Sequence, residues 1–207
     1  MKLNELYDIL DNIIPNPMCE LEYNKDYELL IAVMLSAQTT DKRVNLVTKA
    51  LFSKYPTLES LCAADINDLT NIIRPIGTFH KKANNVKEIA KRLLEEQNGV
   101  VPNNRTYLES LPGVGRKTTN VVLSILYNVP CIAVDTHVSR VSVRLGLAKK
   151  GDDVLTIERK LNRKLDRSRL NRLHHQFVLF GRYYCTARNP KCISCPLKNM
   201  CKEKHDY

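Results

Sequence analysis

Apolar residues recur at helical spacing along nearly the whole chain, and that periodicity confines the fold to helices. Leu3, Leu6, Tyr7, Leu10, Ile13 and Ile14 form one stripe, stopped by Pro15 and Pro17. From Tyr27 to Ala37 the run YELLIAVMLSA is apolar all round, the mark of a fully buried helix. Val44, Val47, Leu51 and Phe52 mark the next helix, with Thr40 or Asp41 as its N-cap. Asp65 caps a short helix through Leu69, Ile72 and Ile73 that ends near Pro75. Val86, Ile89, Ala90, Leu93 and Leu94 make a long amphipathic face that closes at Asn98-Gly99. Further helices are expected at about 105–111, 116–127, 136–145, 153–166 and 170–184. The one Asn-Gly pair follows a helix instead of joining alternating strands, so the expected class is all-α.

At 207 residues the chain is one large domain or two small ones. Charges interrupt every apolar run well before the roughly 18–20 residues that a membrane span needs. Glu5, Asp8 and Asp11 near the amino end are unlike a signal or transit peptide, so a soluble cytoplasmic protein is expected. The formal charge of +10 is unevenly placed, −2 over residues 1–100 and +12 over residues 101–207. That segregation suits a polyanionic partner, although a merely solvated basic surface would give the same balance. The seven cysteines also divide. Cys19, Cys62 and Cys131 sit among apolar neighbours and read as small core residues. Cys185, Cys192, Cys195 and Cys201 follow C-x6-C-x2-C-x5-C, and in a reducing compartment such a group reads as a metal site.

Residues 111–122 read LPGVGRKTTNVV. Pro112 ends one helix, Gly113 and Gly115 permit positive φ, and a new helix begins at about Arg116. Two helices joined by so short a glycine hairpin present outward-pointing N–H groups, a natural seat for a DNA phosphate. Lys117 lies in the first turn, where the helix dipole and Arg116 disfavour a further positive charge. That setting suits an amine nucleophile, which must be neutral to attack, but it equally suits a phosphate-binding lysine. Asp135 follows the apolar run Ile132-Ala133-Val134 at the start of the next helix. It can serve simply as an N-cap. Reach permits more. A helix over 116–127 is about 18 Å long, and seven extended residues after it span up to about 24 Å. The chain can therefore return a carboxylate to the helix mouth, as base and as an anion facing a developing cation.

The stretches LPGVGRKTTNVV and AVDTHVSRV, the four-cysteine tail and LSAQTTD at 35–41 together resemble the endonuclease III family of DNA-repair glycosylases, within the helix-hairpin-helix superfamily. The likeness covers essentially the whole chain. It implies two helical lobes, one at 20–129 with the helix-hairpin-helix at about 105–127, the other from 1–19 plus 130–207 with a cluster loop at 185–201. It implies that a damaged pyrimidine is turned out of double-stranded DNA, since the sugar carbon is inaccessible inside the stack. The family's catalytic lysine falls on Lys117 and its aspartate on Asp135. Cys185, Cys192, Cys195 and Cys201 match the ligands of a structural [4Fe–4S] cluster; zinc is the alternative, but zinc ribbons usually carry two C-x2-C pairs and only one is present.

The same likeness places Gln38 in the gap left by the flipped nucleotide. Gly113, Gly115, Arg116 and His137 fall toward phosphate, with Arg188 and Lys191 on the cluster loop. Arg140, Arg144, Lys149 and Lys150 are further candidates for a DNA face, and His174-His175 reads as packing. At Gly77-Thr78-Phe79 the chain departs from the bacterial pattern, in which a leucine wedge follows the glycine; wedging falls to Thr78 or Phe79. The expected activity is removal of oxidised pyrimidines followed by abasic-site cleavage, by a monomer associated with the nucleoid. A monofunctional mismatch or adenine glycosylase is the alternative, but it lacks a lysine at the position of Lys117. A non-catalytic DNA-binding protein is the other. Residues beyond Cys201 are expected to be poorly ordered.

Overall fold

A computed structural model describes residues 2–203, and among them it holds eleven α-helices, two short 3-10 turns and no strand. In chain order the helices are α1 (Leu3–Ile13), α2 (Asp26–Leu35), α3 (Asp41–Lys54), α4 (Leu58–Ala63), α5 (Ile66–Ile73) and α6 (Phe79–Gln97). They continue as α7 (Arg105–Ser110), α8 (Arg116–Tyr127), α9 (Thr136–Arg144), α10 (Val154–Lys164) and α11 (Leu170–Tyr183). The all-α class is the one the periodicity predicts. Two compact units divide the chain: Glu20–Tyr127, and Met1–Cys19 together with Asn128–Tyr207.

The unit Glu20–Tyr127 is built around α2, which is buried along its length from Tyr27 to Leu35 and packs against α3, α6 and α8. An apolar surface all round leaves a helix no solvent face, so it must be enclosed on every side. Its one buried acid, Glu28, is satisfied by the Asn24 N–H at 2.7 Å. The long α6 covers α4 and α5 with Val86, Ile89, Ala90 and Leu93. It closes where the sequence places its end, with Asn98 and Gly99 at positive φ and the Gly99 N–H on the Leu93 carbonyl at 2.8 Å. Periodicity does not anticipate α4. It is six residues long and starts from a capping box in which Thr57 and Ser60 satisfy each other's backbone N–H groups.

The second unit surrounds a core of Leu6, Leu10, Ile132, Val138, Val141, Leu161, Phe177 and Phe180. Its amino-terminal α1 is held to α11 by Asp11. That carboxylate accepts from Arg172 Nε at 2.6 Å, from Gln176 Nε2 at 2.9 Å and from Arg169. Arg169 also lies over the Tyr7 ring at 4.8 Å, and the Tyr7 hydroxyl accepts the Asp166 N–H at 3.0 Å. Three expectations need correction. Cys131 is buried, but Cys19 and Cys62 are only half-buried and so are not core residues. The chain is also not loose directly after Cys201, because Lys202 N–H donates to the Arg144 carbonyl at 2.7 Å and Glu203 pairs with Arg144 at 2.8 Å. Residues 204–207, the rest of that expectation, lie outside the described residues. Finally, Arg140 and Arg144, expected on a DNA face, direct their guanidinium groups to carbonyls and a thiol of their own unit, as described below.

Partial burial pushes the Asp11 carboxyl up, but the bonds from Arg172, Gln176 and Arg169 outweigh it and hold the pKa down at about 2. A depressed folded-state pKa contributes stability that is fully present above the ordinary carboxylate range and is lost as pH falls toward 2. With a third of the side chain exposed, screening reduces the contribution. Asp11→Ala is expected to lower unfolding stability at pH 7 by about 1–2 kcal/mol. In urea unfolding the gap to the parent chain narrows between pH 4 and pH 2; a gap independent of pH would contradict the ionic hold.

Candidate active site and cluster pocket

In the hairpin, Leu111 and Val114 are buried and peg the turn into the core, while Gly113, Gly115, Arg116 and Lys117 lie on the surface. The Val114 N–H donates to the Leu111 carbonyl at 3.1 Å, and the Thr119 N–H to the Gly115 carbonyl at 3.0 Å, the first bond of α8. Gly113 has φ +76°, and a Cβ there would stand 2.4 Å from the Asn85 amide nitrogen and 3.3 Å from Met34 Cγ. No L side chain fits. Gly115 differs from the expectation: its φ is not positive, and a Cβ would meet nothing within 4 Å. The fold therefore does not require glycine at 115, and that open space is available to a molecule lying over the hairpin. Arg105 Nη2 donates to Asn120 Oδ1 at 2.8 Å, which locks α7 to α8 behind the turn. Lys117 is solvent-exposed in the first turn of α8.

Asp135 follows the buried, non-helical stretch Cys131–Val134 and caps α9, its Oδ1 accepting the Val138 N–H at 2.7 Å. The capping role is real, and it uses one of the two carboxylate oxygens. His137 is half-buried, and Arg140 Nη2 lies 3.1 Å from its Nδ1. A guanidinium only donates, so Nδ1 is the acceptor and the proton of the neutral ring sits on Nε2. Gly181, which sequence reading missed, permits this: a Cβ there would meet His137 Cβ at 2.8 Å. No sequence signal distinguishes that glycine, since the two residues are far apart in the chain.

Gln38 and Thr78 are both exposed and both left-handed, each with φ +57°. For a residue other than glycine such backbone costs about 1–3 kcal/mol, and for β-branched Thr it is a true outlier. Thr78 is the residue before α6, with its hydroxyl on the Gly77 carbonyl at 2.7 Å. Phe79 is half-buried, its ring 4.4 Å from that of His80.

The four tail cysteines line one cavity of about 310 Å³ with Val141, Leu145, Phe180 and Leu197. Among the described residues no three His, Cys, Asp or Glu side chains converge on a single-ion position, and the space suits a multi-atom group. Burial, and then the thiolates of Cys185 and Cys201, push the Cys192 thiol up; burial does the same at Cys195. A cationic centre would reverse that repulsion and hold the thiolates. Arg144 Nη1 donates to Cys185 Sγ at 3.2 Å and to the Thr186 carbonyl at 2.9 Å. Arg140 Nε donates to the Cys185 carbonyl at 2.8 Å and Nη2 to the Gly181 carbonyl at 2.6 Å. Both arginines, read from sequence as DNA-facing, turn inward because the loop's carbonyls would otherwise lack donors. Arg188 and Lys191 stay exposed on that loop, Lys191 Nζ lying 5.5 Å from the centre of the Tyr184 ring.

Comparison with known proteins agrees with this geometry. Residues 31–167 match the HhH-GPD superfamily of base excision DNA repair proteins, and residues 185–201 match the iron–sulfur binding domain of endonuclease III. The chain is 45% identical to endonuclease III of Bacillus subtilis over 95% of its length and 90% of that protein's. It is 46% identical to the Rickettsia conorii enzyme over 96% and 94%. A trapped covalent intermediate of an endonuclease III with DNA superposes with a TM-score of 0.92 at 45% identity, covering 98% of this chain and 96% of that one. A thermostable thymine-DNA glycosylase, at 22% identity and a TM-score of 0.78, shares the fold. The chain belongs to the endonuclease III family of the HhH-GPD superfamily, DNA glycosylase/abasic-site lyases of base excision repair with a structural [4Fe–4S] cluster.

Proposed function

We propose that the protein excises oxidised pyrimidines from double-stranded DNA and cleaves the resulting abasic site, with Lys117 as nucleophile and Asp135 as its base. The observation that carries this reading is the exposed lysine in the first turn behind a hairpin whose Gly113 admits no side chain. Asp135 takes the proton from the Lys117 ammonium, and the freed amine forms a bond to the sugar's anomeric carbon as the bond to the base breaks. The departing base leaves with the bond pair and takes up a proton. Ring opening gives an imine, loss of a proton from the adjacent sugar carbon expels the 3′ phosphate, and water then releases Lys117. The carboxylate also faces the positive charge that grows on the sugar. The bond from Arg140 leaves the imidazole Nε2–H of His137 as a donor for phosphate.

The backbone N–H groups beside Gly113 and Gly115, with Arg116, hold phosphate at the start of α8. Gln38 enters the space left by the flipped nucleotide, and Thr78, exposed where Phe79 is half-buried, wedges the duplex. Cys185, Cys192, Cys195 and Cys201 hold the cluster, which shapes the loop that presents Arg188 and Lys191 to the DNA backbone. The enzyme acts as a monomer on the nucleoid in the cytoplasm. No helix of the described residues is long and apolar enough to cross a membrane.

The test is a duplex with one thymine glycol, treated with borohydride. The parent enzyme is expected to give a covalent adduct and Lys117→Ala none, with fold and binding kept; release of the base without any adduct from the parent would mean that water is the nucleophile. Asp135→Asn should lose about 10²–10⁴-fold in rate and bind DNA as well or better, because a negative charge near phosphate is removed. Arg188→Ala should flatten the slope of log K against log salt by about 0.9 while leaving single-turnover rates unchanged. An unaltered slope would take Arg188 off the interface.

A further inference from the structure

Lys82 has no part in the chemistry above, yet it is a lysine only 4% exposed. Its ammonium donates to the Leu35 carbonyl at 2.9 Å, to the Ala37 carbonyl at 2.8 Å and, more weakly, to Thr39 Oγ1 at 3.4 Å. Its amide donates to the Thr78 carbonyl at 3.0 Å. The side chain thus grips the chain on both sides of Gln38; the backbone bond to Thr78 is the one that opens α6 and would form with any residue at 82. Apart from three asparagines, which tolerate this backbone, Gln38 and Thr78 are the described non-glycine residues at positive φ. Burying a cation whose hydrogen-bond partners are two carbonyls and a hydroxyl is expensive, and burial lowers its pKa accordingly. A neutral cap would satisfy the end of α2 at lower cost, so the charge calls for another explanation.

We propose that Lys82 is a positioning residue, whose ammonium holds the Gln38 turn in its strained backbone and ties it to the first turn of α6, beside Thr78, so that both side chains address the opened duplex. The inference rests on the reading of Gln38 and Thr78 as DNA contacts. Tying the Gln38 turn to the start of α6 fixes its spacing from Thr78 before DNA arrives, so the ordering cost is not met during binding. Lys117 lies on a different helix, so the covalent step on bound DNA is left largely intact.

The experiment uses the cluster-containing enzyme and a duplex with 2-aminopurine opposite a tetrahydrofuran abasic analogue, whose fluorescence reports the stacking of the orphaned base. An abasic duplex gives KM and kcat in parallel. Gln38→Ala defines the signal of a missing insertion. Lys82→Met is expected to reproduce most of that loss and to raise KM at least tenfold, with kcat within about threefold of the parent. Lys82→Gln, whose amide ends one bond short of the lysine nitrogen, should fall between, and it carries the comparison if the Met variant melts below the assay temperature. Parent-like fluorescence and KM in the Lys82 variants, with only the melting temperature lowered, would overturn the proposal and leave Lys82 a helix cap. Parent-like fluorescence in Gln38→Ala would overturn the reading of Gln38 itself, whatever Lys82 does.

Discussion

Gly113 has no side chain, and the Asn85 amide occupies the space where a Cβ would be. The direction in which α8 leaves the hairpin depends on that contact, and with it the position of Lys117 and of the N–H groups beside it. A hydrogen-bonded loop alone would leave the hairpin free to pivot. Packed on α6, with Leu111 and Val114 as pegs, it becomes a rigid surface feature. The same α6 carries Thr78 at its start and Lys82 one turn before Asn85. Three turns that face the nucleic acid in our reading are therefore referenced to one helix, itself fixed by packing on α4 and α5. A site that must receive a distorted duplex gains from this, because geometry set in advance is not purchased from binding energy.

In the other unit a second helix has a comparable part. The first residue before α9 is Asp135, and its later turns bring Arg140 and Arg144 to the cysteine loop. The loop itself has little regular structure, and its backbone is satisfied by these guanidinium groups and by short turns such as Cys195 N–H to the Cys192 carbonyl. Such a loop holds its shape only if its thiols are gathered, which gives the cluster its structural role.

Most helices were legible because their buried faces are apolar at a period of 3.6, and the hairpin and cysteine spacing were legible because their residue types are rare in combination. What escaped notice was polar or local. The first two turns of α6 bury Lys82 and Asn85 beside Ala83, so no apolar stripe marks where the helix starts. Helix α4 is too short for a period to show. Arg140 and Arg144 find their partners some 40 residues away, at Gly181, Cys185 and Thr186, and no local pattern reveals that they turn inward. The backbone of Gly115 depends on the exact turn, which Gly-x-Gly does not specify. The left-handed Gln38 and Thr78 likewise break local preference, and such breaks concentrate where function demands them.

In the mechanism proposed above, one amine at the mouth of α8 makes the bond to DNA. The most direct test is to reduce the enzyme's adduct with an abasic duplex, digest it and locate the sugar remnant by mass spectrometry. The remnant is expected on the peptide containing Lys117, on that residue's Nζ. A remnant on any other lysine, or on the amino terminus, would contradict that mechanism.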